Sequence, residues 1–269
     1  PDTKIALVEM AKASGLELLS SGQANPLKTT TFGTGQLIRA AANYGADKIL
    51  LAVGGSATVD GGVGAAQALG WNFLDSDGNR IGFGGRQLEY IAQITRPDKL
   101  DLPEIEVLCD VDNPLCGEDG AARAFGPQKG ASPEMVERLE AGLNHLAEVV
   151  KQRLGIEIRQ IPGSGAAGGL AAGAIAFMNA KLVSGIETII RESGLAKEIS
   201  DADWVITGEG RFDSQSLRGK VVSGVTKTAK LSRARVCVIA GRVELSEKEW
   251  RGFGITDVIG LSDETTDLD

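Results

Sequence analysis

Short apolar runs alternate along the chain with segments whose apolar residues recur every three or four positions. The runs predict strands at 4–9, 48–53, 104–109, 157–161, 203–207 and 235–240. The segments with helical spacing predict helices at 35–44, 63–69, 133–154, 168–179, 186–192 and 220–231. This alternation is typical of an α/β protein with parallel strands.

The pattern changes near Gly194, where we place a boundary between two domains, 1–194 and 195–269. From about residue 201 the order is strand, glycine loop, helix and strand at short spacing, which is typical of a βαβ unit on a parallel sheet. Two strands and one helix cannot close a doubly wound layer. We therefore expect 195–269 to form an incomplete α/β lobe with exposed sheet edges.

Composition and charge exclude several classes of protein. The 269 residues carry 28 Lys and Arg against 36 Asp and Glu, a net charge of −8, so a basic surface for nucleic acid is not expected. The most apolar stretch, 169–178, is far shorter than the roughly 20 residues that span a bilayer, so no membrane partner is expected. Three cysteines without CxxC spacing predict neither disulfides nor a zinc site, and they suit a reducing cytoplasm.

The chain contains one histidine and many glycines. His145 lies beside the apolar stripe of the predicted 133–154 helix, where a packing role is expected. A Ser-His-Asp hydrolase and a multi-histidine metal enzyme are therefore both disfavoured. Glycine accounts for 36 of the 269 residues, well above the usual ~7%, which predicts many backbone positions with special geometry.

The first candidate loop is 54–62, between a predicted strand and a predicted helix. Gly54 and Gly55 can turn backbone N–H groups toward a phosphate, while Ser56 and Thr58 supply hydroxyl donors. The alternative is a tight turn in which Thr58 or Asp60 caps the following helix.

The second candidate is a pair of carboxylates after the predicted strand 104–109. Asp110 and Asp112 share a face if the chain stays extended, and paired carboxylates without a nearby histidine favour Mg²⁺ over zinc. The alternative is a turn that begins at Asn113 and Pro114.

The third candidate is the loop 207–215, which follows the strand at 203–207. Glu209, Arg211 and Asp213 lie in it, and Lys220 follows shortly after. Phosphoryl transfer needs cations that neutralise the moving group and a carboxylate that orients or deprotonates the attacking hydroxyl. The alternative is a solvated loop with surface ion pairs.

A fourth candidate is the short loop 125–130, which can place Lys129 over a phosphate.

A glycine motif at 163–168 indicates an alternative function, the binding of a dinucleotide. It matches GxGxxG, and Glu187 lies about 20 residues further on, as in enzymes that bind nicotinamide dinucleotides. Against this, the preceding residues 156–161 are half polar and Pro162 abuts the glycines, unlike the buried central strand that the motif needs.

Taken together, several ordered segments resemble the type I glycerate kinase family over nearly the whole chain. The matching segments are 31–38, 54–62, 109–114, 125–135, 162–170, and 207–215 with 219–220. The resemblance implies phosphorylation of glycerate by ATP with Mg²⁺, with 2-phosphoglycerate as the product of the similar bacterial members. Alternatives are a nicotinamide-dependent dehydrogenase and a catalytically inactive ligand-binding fragment.

The resemblance also implies an architecture of two lobes. Residues 195–269 would be part of a Rossmann-like parallel-sheet lobe, incomplete here, and 1–194 a larger inserted mixed α/β domain. The family's opening strand with its Pro-Asp-Ser-Phe-Lys-type loop, and its C-terminal helix, have no counterpart, so a partial chain is expected. A monomer and a homodimer both remain open.

The expected roles of the candidate residues follow from these motifs and the resemblance. We expect Asp213 to be the base, with Asp60 as a second candidate, and Arg211 and Lys220 to contact the substrate carboxylate or the γ-phosphate. The residues expected to bind ATP are Gly54, Gly55, Ser56, Thr58 and Lys129. Those expected to bind glycerate are Asn113, Gly165 and Glu209, and those expected to bind Mg²⁺ are Asp110 and Asp112.

Overall fold

The computed structural model describes residues 3–20, 22–214, 216–217 and 221–262. The chain divides into two units, Pro1–Val183 and Ser184–Asp269. Both contain a parallel sheet with helices, so the predicted α/β fold is confirmed. The division lies ahead of Gly194 because the helix at Gly185–Glu192 packs against the helices that follow it.

The first unit is built on a four-stranded parallel sheet in the order β1-β2-β5-β6, with a separate antiparallel pair, β3 and β4. The strands are β1 (Ile5–Glu9), β2 (Lys48–Ala52), β3 (Asn72–Leu74), β4 (Gln93–Thr95), β5 (Glu104–Leu108) and β6 (Lys181–Val183). Because the four main strands are parallel, their carboxyl ends lie at one edge of the sheet.

Helices cover this sheet and enclose the larger hydrophobic core. They are α1 (Ala11–Ser14), α2 (Phe32–Asn43), α3 (Val63–Ala68), α4 (Ala121–Phe125), α5 (Pro133–Leu154) and α6 (Ala166–Met178), with 3-10 turns at Leu16–Leu18, Gly85–Tyr90 and Pro127–Lys129.

Local signals define the ends of α5. Ser132 Oγ accepts a hydrogen bond from Met135 N, Pro133 occupies the first turn, and Gly155 ends the helix with φ 72°. His145 Nε2 lies 2.7 Å from the Ile91 carbonyl oxygen, in keeping with the packing role expected for it.

The second unit contains a three-stranded parallel sheet in the order β7-β8-β9. Its elements are α7 (Gly185–Glu192), α8 (Leu195–Ser200), β7 (Trp204–Phe212), α9 (Val221–Ala229), β8 (Arg235–Val243), α10 (Glu247–Phe253) and β9 (Asp257–Gly260). Its core is centred on Phe212, Val222 and Val238, all fully buried.

Two sequence predictions are wrong. Residues 157–161 form no strand, because Glu157 Oε1 accepts the Arg159 N–H at 3.0 Å and this local bond turns the backbone. The predicted loop 207–215 is strand up to Phe212, because these residues continue to pair with β8 as far as Val243.

Within the described ranges, no helix is both long and apolar enough to cross a membrane.

Candidate active site

A cavity of about 440 Å³ opens at the edge where β2 and β5 end. Gly54, Gly55, Ser56, Asp110 and Lys129 line it. Three loops singled out from the sequence therefore meet at one place. The carboxyl edge of a parallel sheet is where open α/β folds bind their ligands.

The loop after β2 is held by residues distant in sequence. Gly55 O accepts from Leu16 N at 3.0 Å, and Ser14 O accepts from Ala57 N at 2.9 Å. Thr29 Oγ1 donates to Ala57 O at 2.7 Å. The backbone of this loop is thus positioned before any ligand binds.

Lys129 is buried against the same loop, with only 2% of its surface exposed. Its Nζ donates to Ser56 Oγ at 2.7 Å and to Thr58 O at 2.8 Å. Burial lowers the pKa of Lys129 to about 7, although the negative charge of Asp60 opposes the shift. In its protonated form the Lys129 amine carries three donors, so one remains beyond these two bonds, and an anion in the cavity would favour that charged form.

This burial makes the stability of the protein depend on pH. Between about pH 7 and 10 the folded state holds Lys129 neutral while the unfolded chain keeps its proton, so the free energy of unfolding rises with pH. We expect the stability of the wild type relative to Lys129→Met to rise by about 1 kcal/mol per pH unit in this range. Urea unfolding of both proteins across the range measures it, and a difference that does not vary with pH would contradict a lowered pKa.

Asp60, near the end of the same loop, does not line the cavity, and only 1% of its surface is exposed. Its carboxylate accepts from Thr31 N at 2.8 Å, Gly62 N at 3.1 Å and Gly64 N at 3.3 Å, and also from the Thr31 hydroxyl. Burial raises the pKa of Asp60. These contacts join the start of α3 to the segment before α2, so the structure shows Asp60 linking these two segments.

The first turn of α6 has an unusual backbone. Ala167, Gly168 and Gly169 all have positive φ, at 54°, 65° and 87°, and Ala167 also lines the cavity. A Cβ on Gly168 would lie 1.9 Å from Thr58 O, and Gly61 N donates to Gly168 O at 3.1 Å. This left-handed turn therefore packs directly on the backbone of the loop after β2.

Two residues predicted to contact substrate, Asn113 and Gly165, make hydrogen bonds within the chain. Gly165 N donates to Asn113 O at 2.9 Å, and a Cβ on Gly165 would lie 2.2 Å from Pro114 O. The Asn113 side-chain amide donates to Asp119 O at 2.7 Å. The observed contacts join the turn after β5 to the loop before α6.

Of the two predicted metal ligands, Asp110 lines the cavity, whereas Asp112 is exposed and is not part of the lining. Within the described part of the chain, no three His, Cys, Asp or Glu side chains lie close enough to hold a metal. Mg²⁺ in nucleotide sites is held by one or two carboxylates together with substrate phosphates. One carboxylate at the cavity therefore fits Mg²⁺ that arrives with a nucleotide.

The remaining candidates form a group in the second unit. Arg211 Nη2 donates to Glu244 Oε2 at 2.7 Å, and Arg211 Nε lies 3.5 Å from Asp213 Oδ2. Asp213 Oδ1 accepts from Ser216 N at 3.3 Å, and Ser216 Oγ contacts the Glu209 carboxylate. The hydrogen bond that Arg211 donates to Glu244 raises the pKa of Arg211.

Sequence reasoning missed Glu244 and Ser216. Glu244 reaches the group because the residue before it, Val243, pairs with Phe212 across the two strands, and this register has no local signal. Lys220 lies outside the described residues.

The glycine motif at 163–168 lacks the structure that a dinucleotide site requires. The motif must follow a buried strand, and residues 157–161 form none. Of its glycines, Gly163 and Gly165 pack against the turn after β5, and Gly168 packs against the loop after β2.

Comparisons with known proteins agree with one another. A model of the glycerate kinase family matches residues 1–269. A glycerate kinase from Haemophilus influenzae and a glycerate 2-kinase from Escherichia coli are each 49% identical over 89% of this chain and 64% of their own length. The crystal structure of a candidate glycerate kinase 2 from Salmonella typhimurium LT2 has a TM-score of 0.84 at 45% identity, covering 96% of this chain and 68% of that one. The chain thus spans about 64% of the length of these curated relatives.

Proposed function

The chain belongs to the glycerate kinase family, and from this premise we propose that it transfers the γ-phosphoryl group of ATP to glycerate. The product would be 2-phosphoglycerate, with ADP released, as the name of the Escherichia coli relative suggests. The observation that carries the proposal is the cavity at the strand ends, where a serine hydroxyl, a buried lysine and a carboxylate converge.

The cavity supplies the groups that a nucleotide needs. Ser56 and the free donor of Lys129 would bind phosphate oxygens, and the turn at Gly54 and Gly55 lets the chain approach them closely. Asp110 would hold the Mg²⁺ that accompanies ATP, and the ion would neutralise charge on the phosphates. Because the loop is already held in place, little ordering is needed on binding.

Asp213 is the proposed base. Its carboxylate would accept the proton of the glycerate hydroxyl as that oxygen bonds to the γ-phosphorus and the bond from phosphorus to the β–γ bridging oxygen breaks. Arg211 is the proposed ligand of the glycerate carboxylate, because its side chain is 65% exposed despite its contacts with Glu244 and Asp213.

The direct test is ADP release from ATP and Mg²⁺ with and without D-glycerate. ADP that depends on glycerate supports the proposal. A folded sample that binds ATP in the presence of Mg²⁺ without turnover would indicate an inactive ligand-binding chain, whereas one that neither binds nor turns over ATP would overturn the proposal.

Replacing the Asp213 carboxylate with an amide distinguishes a role in catalysis from a role in folding. Asp213→Asn is expected to lower turnover about 100-fold, because the hydroxyl loses its proton acceptor, while ATP affinity stays within about twofold. Asp257→Asn is the matched control, since Asp257 is an exposed carboxylate of the same unit. If Asp213→Asn turned over at more than half the wild-type rate, Asp213 would not be the base.

A further inference from the structure

A groove of about 600 Å³ lies at the edge of the first unit's sheet where β5 and β6 begin. Glu104 and Lys181, the first residues of these strands, line it. The cavity described above lies at the ends of the strands. The two are therefore at opposite edges, and the proposed function does not use the groove.

The walls of the groove combine apolar side chains with polar groups and are reachable from solvent. They include five half-buried aliphatic side chains, those of Leu100, Leu102, Leu154, Ile156 and Ile175. The volume lies in the range of about 300–1,000 Å³ that is typical of small-molecule sites. The five aliphatic side chains favour an occupant with an apolar body.

The charges at the rim do not cancel. The charged residues of the lining are Arg96, Glu104 and Lys181. Glu104 Oε1 accepts from Lys181 Nζ at 2.8 Å, so these two neutralise each other. Arg96 forms no ion pair within the described residues, and its guanidinium carbon lies 6.0 Å from the centre of the Trp71 ring.

We infer that this groove is a second binding site, for a small molecule that joins an apolar body to one anionic group. The aliphatic side chains would enclose the body, and Arg96 would pair with a carboxylate, phosphate or sulfonate, whose oxygens match the planar guanidinium.

Two dyes of matched shape test the inference on the whole chain. 8-Anilinonaphthalene-1-sulfonate carries the anion, and N-phenyl-1-naphthylamine is the same body without it. We expect Arg96→Ala to weaken sulfonate dye binding about tenfold and to leave the neutral dye within twofold. Leu102→Glu should weaken both dyes, and Arg86→Ala, which removes an exposed arginine outside the groove, should change neither.

Circular dichroism of each variant confirms that it is folded before binding is compared. The inference is overturned if the sulfonate dye does not bind, if Arg96→Ala affects both dyes equally or neither, or if Arg86→Ala has the same effect as Arg96→Ala. Retained dye binding in Leu102→Glu would place the dye elsewhere and also overturn it.

Discussion

Replacing Gly168 with alanine is expected to destabilise the first unit by about 4 kcal/mol. A left-handed residue other than glycine costs about 1–2 kcal/mol, and Gly168 has φ 65°. The new methyl group would also lie 1.9 Å from Thr58 O, which is backbone and cannot rotate away. Forcing the two segments apart adds about 1–3 kcal/mol.

A second glycine variant separates the cost of the left-handed backbone from the cost of the steric contact with Thr58. Gly155 has φ 72°, and a Cβ there would have no neighbour within 4 Å. Gly155→Ala should therefore cost only the backbone part, about 1–2 kcal/mol. Urea unfolding followed by circular dichroism gives both values, and equal losses would show that the contact with Thr58 contributes nothing.

The second large effect is expected at Asp60. Asp60→Ala would leave the N–H groups of Thr31, Gly62 and Gly64 without their acceptor in a buried place. An unsatisfied buried donor costs about 1–3 kcal/mol. Some relaxation or entry of water will reduce the sum, so we expect a loss of about 4 kcal/mol in the free energy of unfolding.

The matched control for Asp60 is an aspartate with similar contacts near the surface. Asp75 Oδ1 accepts from Asp77 N at 3.0 Å and from Asn79 N at 2.8 Å in an exposed turn. Asp75→Ala should cost below about 1 kcal/mol, because water replaces the lost acceptor. A comparable loss in both variants, measured by urea unfolding, would show that burial is not what makes Asp60 important.

The central strands and long helices were predictable because their signals are local. The predicted helix 133–154 has the observed bounds, since Ser132 and Gly155 mark both ends. The pair β3 and β4 and the strand β6 have three residues each, too few to show a period. The alternation at 156–161 resembled a strand, but it reflects burial of Ile158 within a turn.

The loops of the site were predictable, and several roles within them were not. A glycine loop after a buried strand, an aspartate after another strand and a lysine in a turn were all recognisable from composition. The buried position of Lys129 involves a hydrogen bond to Ser56, which is 73 positions away, and Asp60 accepts a hydrogen bond from Thr31. Contacts between distant positions carry no periodic or spacing signal in a single sequence.

The close backbone packing at Gly168 also bears on how such a site can evolve. Where two loops touch through main-chain atoms, a larger side chain at the contact would collide with the opposite backbone and could not add a new functional group to the site. Phe125 and Gln128, which line the cavity and have no role in the proposed binding of ATP, remain open to substitution. We therefore expect ligand preference to change in evolution through substitutions at these positions, while the glycines at the contact are retained.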